Sequence, residues 1–413
     1  MSGRLHLGVD IGTSGVRAIV IDDARDVQGE AAMRFGADPK SPSTWLSALT
    51  DVLLTLSAEV DLSQTVSVAV DGTSGTMLAV GADGAPVAGP LMYDEAIGDA
   101  ETLAALEARQ CGHLAGMATG RAFHLARRAP HALIVHQADW LSGQFSGQFG
   151  ISDDNNALKT GFDPQSRRWS GEVEALGLSA MLPQTVLEPG TPIGPAIGPL
   201  SKTFGLSADA TVIAGTTDGC AAFLASGAGR EGDGVTSLGS TLTLKLLSAR
   251  RIEDRASGIY SHRLLGLWLA GGASNSGGRV LAQHFSTDEM EALSQGQSAA
   301  PPTDLDYYPL VAPGERFPVN DPQLQPRLEP RPDDDALFLK AMLEGLAQIE
   351  ASGYRRLAEL GAPPVSRIFT VGGGAANPLW TDIRAMALGV DLEQPISAEA
   401  AFGAALLARM GVS

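Results

Sequence analysis

Apolar and polar residues alternate along this chain in short blocks whose period switches between strand-like and helix-like. Residues 5–9 are apolar, Asp10-Ile11-Gly12-Thr13-Ser14-Gly15 is turn-like, and residues 16–21 are apolar again, which predicts strand, glycine–hydroxyl turn, strand. A helix-spaced segment at 45–56 precedes a third strand, 66–70, which meets a second such turn, Asp71-Gly72-Thr73-Ser74-Gly75-Thr76. Residues 77–80 and the turn Gly81-Ala82-Asp83-Gly84 complete a meander. Helical spacing dominates from about Asp99 to Gly147, and the proline- and glycine-rich stretch 183–199 reads as extended loop.

The middle of the chain repeats that grammar. Residues 211–214 read as a strand, Gly215-Thr216-Thr217-Asp218-Gly219 as a loop and 220–228 as a helix. Residues 235–238, Gly239-Ser240-Thr241 and 242–247 then form a second strand, hydroxyl turn and strand. Gly12-Thr13-Ser14 and Gly239-Ser240-Thr241 thus hold matching places in two halves, the mark of a duplicated unit. Proline-rich 301–332 reads as irregular and 335–360 as a long amphipathic helix. Residues 368–371, Gly372-Gly373-Gly374 and a helix at 378–388 form a third strand–loop–helix, with Pro378 at the first helical position and Asn377 as its cap. A final helix begins near Ala398. The mixture is α/β.

A chain of 413 residues predicts two or three domains. Its net charge of −18 argues against a general nucleic-acid binder. No apolar run approaches the roughly 18 residues that span a bilayer, and Asp10 interrupts the apolar N-terminal stretch before a secretory segment can form. Cys111 and Cys220 are too few for a disulfide framework and read as reduced thiols of a cytoplasmic protein.

The chain has neither the GxxxxGK(S/T) phosphate loop nor the GxSxG nucleophile turn, and its GxGxxG at Gly227, Gly229 and Gly232 follows a helix rather than a strand. Three glycine turns remain, at Gly12, at Gly239 and at Gly372 to Gly374. Such turns expose backbone N–H groups at close range and can hold a polyphosphate without cationic side chains; singly, each is equally an ordinary hairpin. Asp10 ends the first strand, where it either holds a hydrated Mg²⁺ or closes its own turn. Asp218 precedes a helix, as an N-cap or as a base for a substrate hydroxyl. Asp153 and Asp154, being consecutive, point apart and read as a structural turn. His113, His124, His131 and His136 show no metal-ligand spacing.

At these residues the chain resembles the FGGY family of carbohydrate kinases. Gly8-Val9-Asp10-Ile11-Gly12-Thr13-Ser14 is similar to its first phosphate motif, Asp153 through Thr160 with Gly161-Phe162-Asp163-Pro164 and Trp169 to its central signature, and Ala214 through Gly219 to its catalytic loop. Ser237-Leu238-Gly239-Ser240-Thr241, Pro313 through Pro318 and Gly372 through Trp380 resemble further blocks. The resemblance implies two actin/hexokinase-like (ribonuclease H-like) domains with an interdomain cleft: residues 1–225, with the C-terminal helix of about 398–413 packing back, for the sugar and the base, and 226–397 for the nucleotide. It implies Asp218 as the base, Asp10 holding Mg²⁺ through water, and Gly12, Thr13, Ser14, Gly239, Ser240 and Thr241 at the phosphates of ATP. Gly373, Gly374, Asn377 and Trp380 would border adenosine; Ser74, Tyr93, Asp218 and Gly219 would line the sugar pocket. Where glycerol kinases carry an Arg-Glu pair, this chain has Gly72-Thr73-Ser74-Gly75, which favours the compact ketopentose subgroup, D-ribulose ahead of D-xylulose. Another sugar or polyol acceptor, or a catalytically silent regulator of the same fold, stays open, as does monomer or homodimer.

Overall fold

The computed structural model describes residues 3–36 and 38–412. They form two compact units, Met1–Ala225 with Glu399–Ser413, and Ser226–Ala398.

The first unit is built on strands β1 (Leu5–Ile11), β2 (Gly15–Asp22), β3 (Val27–Arg34) and β4 (Thr65–Gly72). A satellite sheet uses β5 (Met77–Val80), β6 (Pro86–Leu91) and β7 (Leu133–His136), and β8 (Pro192–Pro195) and β9 (Thr211–Thr217) complete the main sheet. Its order is β8-β9-β4-β1-β2-β3, with β1 antiparallel to β2 and parallel to β4, and β4 parallel to β9. β1 is apolar at successive positions because both faces of the sheet are covered. Alternation along β2 shows this: Ala18 and Val20 join the core with Trp45 and Leu49 of the helix Pro42–Ser57, whereas Ile19 and Ile21 meet Ala401 and Phe402 of the helix Ala400–Met410. That last helix lies against β1 at Gly8, where an added Cβ would sit 2.1 Å from the Ala401 carbonyl oxygen.

The second unit repeats the plan. Its strands are β10 (Asp233–Leu238), β11 (Leu242–Ser248), β12 (Tyr260–Leu264), β13 (Leu267–Ala273), β14 (Arg367–Val371) and β15 (Asp391–Glu393). The order is β12-β13-β11-β10-β14-β15, and the β10–β11 hairpin with parallel β14 beside it mirrors the β1–β2 hairpin with β4. The helix Asp335–Glu359 buries its apolar face on this sheet. Its one deeply buried carboxylate, Glu350, is paired through both oxygens with the buried Arg384 guanidinium at 2.6 and 2.8 Å, so neither charge is left unmatched.

Several sequence expectations shift. β9 continues through Thr217 instead of ending at Ala214, because parallel pairing sets Thr216 opposite Asp71 and Thr217 opposite Gly72. β4 likewise extends through Asp71 and Gly72. Residues 77–80 pair with β6 and β7 rather than continuing the main sheet. Within 183–199, Thr185–Leu187 and Pro192–Pro195 are strands. Asp153 caps the helix Asp154–Lys159, accepting from the Asn155 and Asn156 N–H groups, and Asp154 pairs with Arg167, so the two form a helix start rather than a turn.

Candidate active site

In the first unit the candidate residues gather at the carboxyl ends of β1, β4 and β9, where open α/β sheets hold their ligands. Asp10 on β1 lies directly beside Asp71 on β4, and Asp71 lies beside Thr216 of β9, two residues before Asp218. Asp71 is fully buried; neither of its oxygens, nor Asp10 Oδ1, accepts a hydrogen bond from an N–H or O–H. Burial pushes the Asp71 carboxyl well above the usual carboxylate range, and the neighbouring Asp10 charge pushes it further. Burial also raises Asp10, against the hydrogen bond it shares with Asp71. Asp218 opens the helix Asp218–Ala225 and its Oδ1 accepts the Gly219 N–H at 2.6 Å, which orients the carboxylate.

The turns sit at the same end. The Gly12 N–H closes on the Gly15 carbonyl at 3.0 Å, leaving Thr13 and Ser14 exposed. The Thr73 N–H donates to the Ile11 carbonyl at 3.1 Å, so the Gly72–Thr76 turn abuts the Gly12 turn. Ser74 is half-buried. Tyr93 is exposed, its backbone N–H held by Thr76 Oγ1 at 3.3 Å.

In the second unit Gly239, Ser240 and Thr241 link β10 to β11, and the Gly278 and Arg279 N–H groups take the Gly239 and Ser240 carbonyls at 2.9 and 3.1 Å. Gly372, with φ at +90°, passes so close to Leu238 that a Cβ would sit 2.8 Å from its backbone. A short 3₁₀ turn, Gly373–Ala376, leads to Asn377, which caps the helix Pro378–Leu388 as expected: Oδ1 takes the Trp380 N–H at 3.1 Å, and Nδ2 donates to Ser294 at 2.9 Å. The Trp380 ring lies over Gly374. Gly373, Gly374, Asn377 and Trp380 border a cavity of about 690 Å³, with Met290, Glu291 and Leu343 among its other walls. That volume suits a nucleoside.

Asp71 is the member of the carboxylate row that sequence reasoning passed over as a turn residue. The available signal was positional: Asp71 ends β4 before a glycine–hydroxyl turn, as Asp10 ends β1. Among the described residues no group of three or more His, Cys, Asp or Glu side chains is arranged to hold a metal ion.

Residues 234–412 match the C-terminal domain of the FGGY family of carbohydrate kinases. The autoinducer-2 kinase of Yersinia enterocolitica is 27% identical over 340 residues, a match that takes in 74% of this chain and 64% of that protein, just under two thirds of its length. The fold matches a xylulose kinase from Rhodospirillum rubrum with a TM-score of 0.81 at 23% identity, covering 99% of this chain and 90% of the other. A gluconate kinase from Lactobacillus acidophilus matches with a TM-score of 0.81 at 15% identity, covering 100% and 90%.

Proposed function

We propose that this chain, whose residues 234–412 match the C-terminal domain of the FGGY family of carbohydrate kinases, is a kinase of that family and transfers the γ-phosphoryl group of ATP to a hydroxyl of a ketopentose, D-ribulose ahead of D-xylulose. The observation that carries the reading is the carboxylate row itself: Asp218 stands one strand from Asp71 and two from Asp10, beside two hydroxyl-bearing turns.

Asp218 receives the proton of the attacking sugar hydroxyl as the O–P bond forms. The Gly219 N–H donates to Asp218 Oδ1 and so restrains that carboxylate. Thr13, Ser14, Ser240 and Thr241, on turns that Gly12 and Gly239 keep open to close approach, bind the phosphate oxygens, which suits a protein with few cations. The cavity at Gly373, Gly374, Asn377 and Trp380 takes the adenosine. Ser74, Tyr93 and Gly219 line the acceptor pocket, and the small Ser74 side chain beside Gly72 and Gly75 leaves room for a five-carbon ketose.

The residues present fit Mg²⁺. The buried Asp10 Oδ1, which accepts no hydrogen bond, suits a hydrated cation, which Asp10 would hold through water. When bound, Mg²⁺ neutralises charge on the phosphate oxygens. The protein is expected to act in the cytoplasm; no helix among the described residues is long and apolar enough to cross a membrane.

A coupled ADP-release screen over pentuloses, hexuloses and polyols tests the reading, with Asp218→Asn beside the wild type. We expect the highest kcat/KM for D-ribulose, at least about tenfold lower kcat/KM for glycerol, and a loss of about 10²-fold or more in Asp218→Asn. Glycerol equal to the pentuloses overturns the acceptor; a variant keeping a tenth of wild-type turnover overturns the base.

A further inference from the structure

Behind the turn that carries Ser74 lies a guanidinium that the chemistry above does not use. Arg121, on the helix Ala118–Arg128, is only 4% exposed. Its Nε donates to the Gly75 carbonyl at 3.1 Å, and its Nη1 to the carbonyls of Gly116 at 3.3 Å and Glu95 at 3.5 Å. All of these partners are backbone carbonyls. The nearby charges of Asp94 and Glu95 offset part of the burial cost, but no carboxylate is hydrogen-bonded to the guanidinium, so its specific contacts are those with the backbone.

What it holds is specific. Gly75 belongs to the turn with Ser74; Glu95 is two residues from Tyr93. Gly75 sits at φ +88°, and a Cβ there would come within 3.2 Å of Arg121 Nη2, so the guanidinium occupies the space a side chain would need. The Tyr93 N–H to Thr76 Oγ1 bond joins the same two segments from the other side.

We infer that Arg121 is the positioning residue of the acceptor pocket: by bonding the Gly75 and Glu95 carbonyls it sets Ser74 and Tyr93 relative to one another, and so sets which polyhydroxylated acceptor is taken. This rests on the kinase reading above for its kinetic consequence, though not for its structural one.

Arg121→Ala and Arg121→Lys test it in the full-length protein. In Arg121→Ala the acceptor KM rises at least about tenfold and the preference between D-ribulose and D-xylulose flattens, while the ATP KM stays within about twofold. Arg121→Lys, which keeps a cationic donor, falls between. Gly75→Ala, which crowds the guanidinium instead of deleting it, gives the same selective loss and serves if Arg121→Ala does not fold. Acceptor and ATP KM rising together, or an unchanged acceptor KM and preference, overturns the inference. Hydrogen–deuterium exchange needs no turnover: residues 73–76 and 92–95 exchange faster in Arg121→Lys, while those around Gly239 do not. Unchanged exchange in both segments also overturns it. If the wild type shows no acceptor-dependent ADP release with any pentulose, hexulose or polyol, the kinase reading alone is defeated, and the exchange result then decides Arg121 by itself.

Discussion

Replacing Gly215 by alanine asks how tightly β9 must seat against β4 for Asp218 to work. The register between these strands is irregular between Ile213 and Thr216, and at that irregularity the backbones close up. A Cβ at Gly215 would stand 1.8 Å from the Val70 carbonyl oxygen. Carbon and oxygen need about 3 Å, so the strands must part by roughly 1 Å, and both contact atoms lie on rigid central strands. Overpacking of this kind costs about 1–3 kcal/mol, and backbone against backbone belongs at the upper end. At about 2–4 °C per kcal/mol for a unit of this size, Tm falls by about 6–12 °C. Asp218 lies three residues along the displaced strand, and a misplacement near 1 Å costs about 10²-fold in rate. Calorimetry and steady-state kinetics measure both, with ATP KM expected to hold because the adenosine cavity lies in the other unit. Gly171→Ala is the control, since an added Cβ there meets nothing within 4 Å. If Gly215→Ala keeps kcat within about threefold and Tm within about 1 °C, the link from strand seating to the base is refuted.

Two further outcomes follow from the same carboxylate row and its neighbourhood. Asp10→Ala should weaken Mg-ATP binding far more than sugar binding, and more than Thr13→Ala does; isothermal titration showing equal losses for both ligands counts against a metal role for Asp10. His136 is buried, and burial first, with the charges of Arg121 and Lys159 behind it, pushes its imidazole down to about 3. A base depressed in the fold contributes stability above its unfolded pKa near 6.5 that is lost as pH falls toward 3, so from pH 7 to pH 5 the protein should lose about 2 kcal/mol that His136→Gln does not. Urea melts at the two pH values decide it, and equal losses in both proteins refute it.

Local chemistry was readable where it was local. Asn377 and Pro378 announced the helix they start, and Asp10 and Gly12 announced a strand end and its turn, because capping and turn formation depend on residues a few positions apart. The β1–β2 and β10–β11 hairpins were legible for the same reason. Asp71 was hidden because its meaning comes from Asp10, 61 positions away, through a parallel pairing that no local spacing records. The true end of β9 was hidden likewise: Gly215-Thr216-Thr217 has the composition of a loop, and only its place beside β4 makes it a strand. Arg121 lies in a stretch legible only as helical, and nothing in that segment shows that its partners are the carbonyls of Gly75 and Glu95.

The seat of the helix Ala400–Met410 on β1 also bears on how the protein is made. Gly8 leaves the ribosome about 390 residues before Ala401 and Ala405, which fill the groove it opens. At about 5–20 residues per second, that is a wait of roughly 20–80 s. During it Ile19 and Ile21 lack the partners Ala401 and Phe402, while Ser226–Ala398 emerges in full and can complete its own core. The unit begun first is therefore finished last. A premature stop before Glu399 does not shorten the protein by a tail; it withholds the closing layer of the unit that holds the proposed base, and leaves an apolar sheet face open to aggregation.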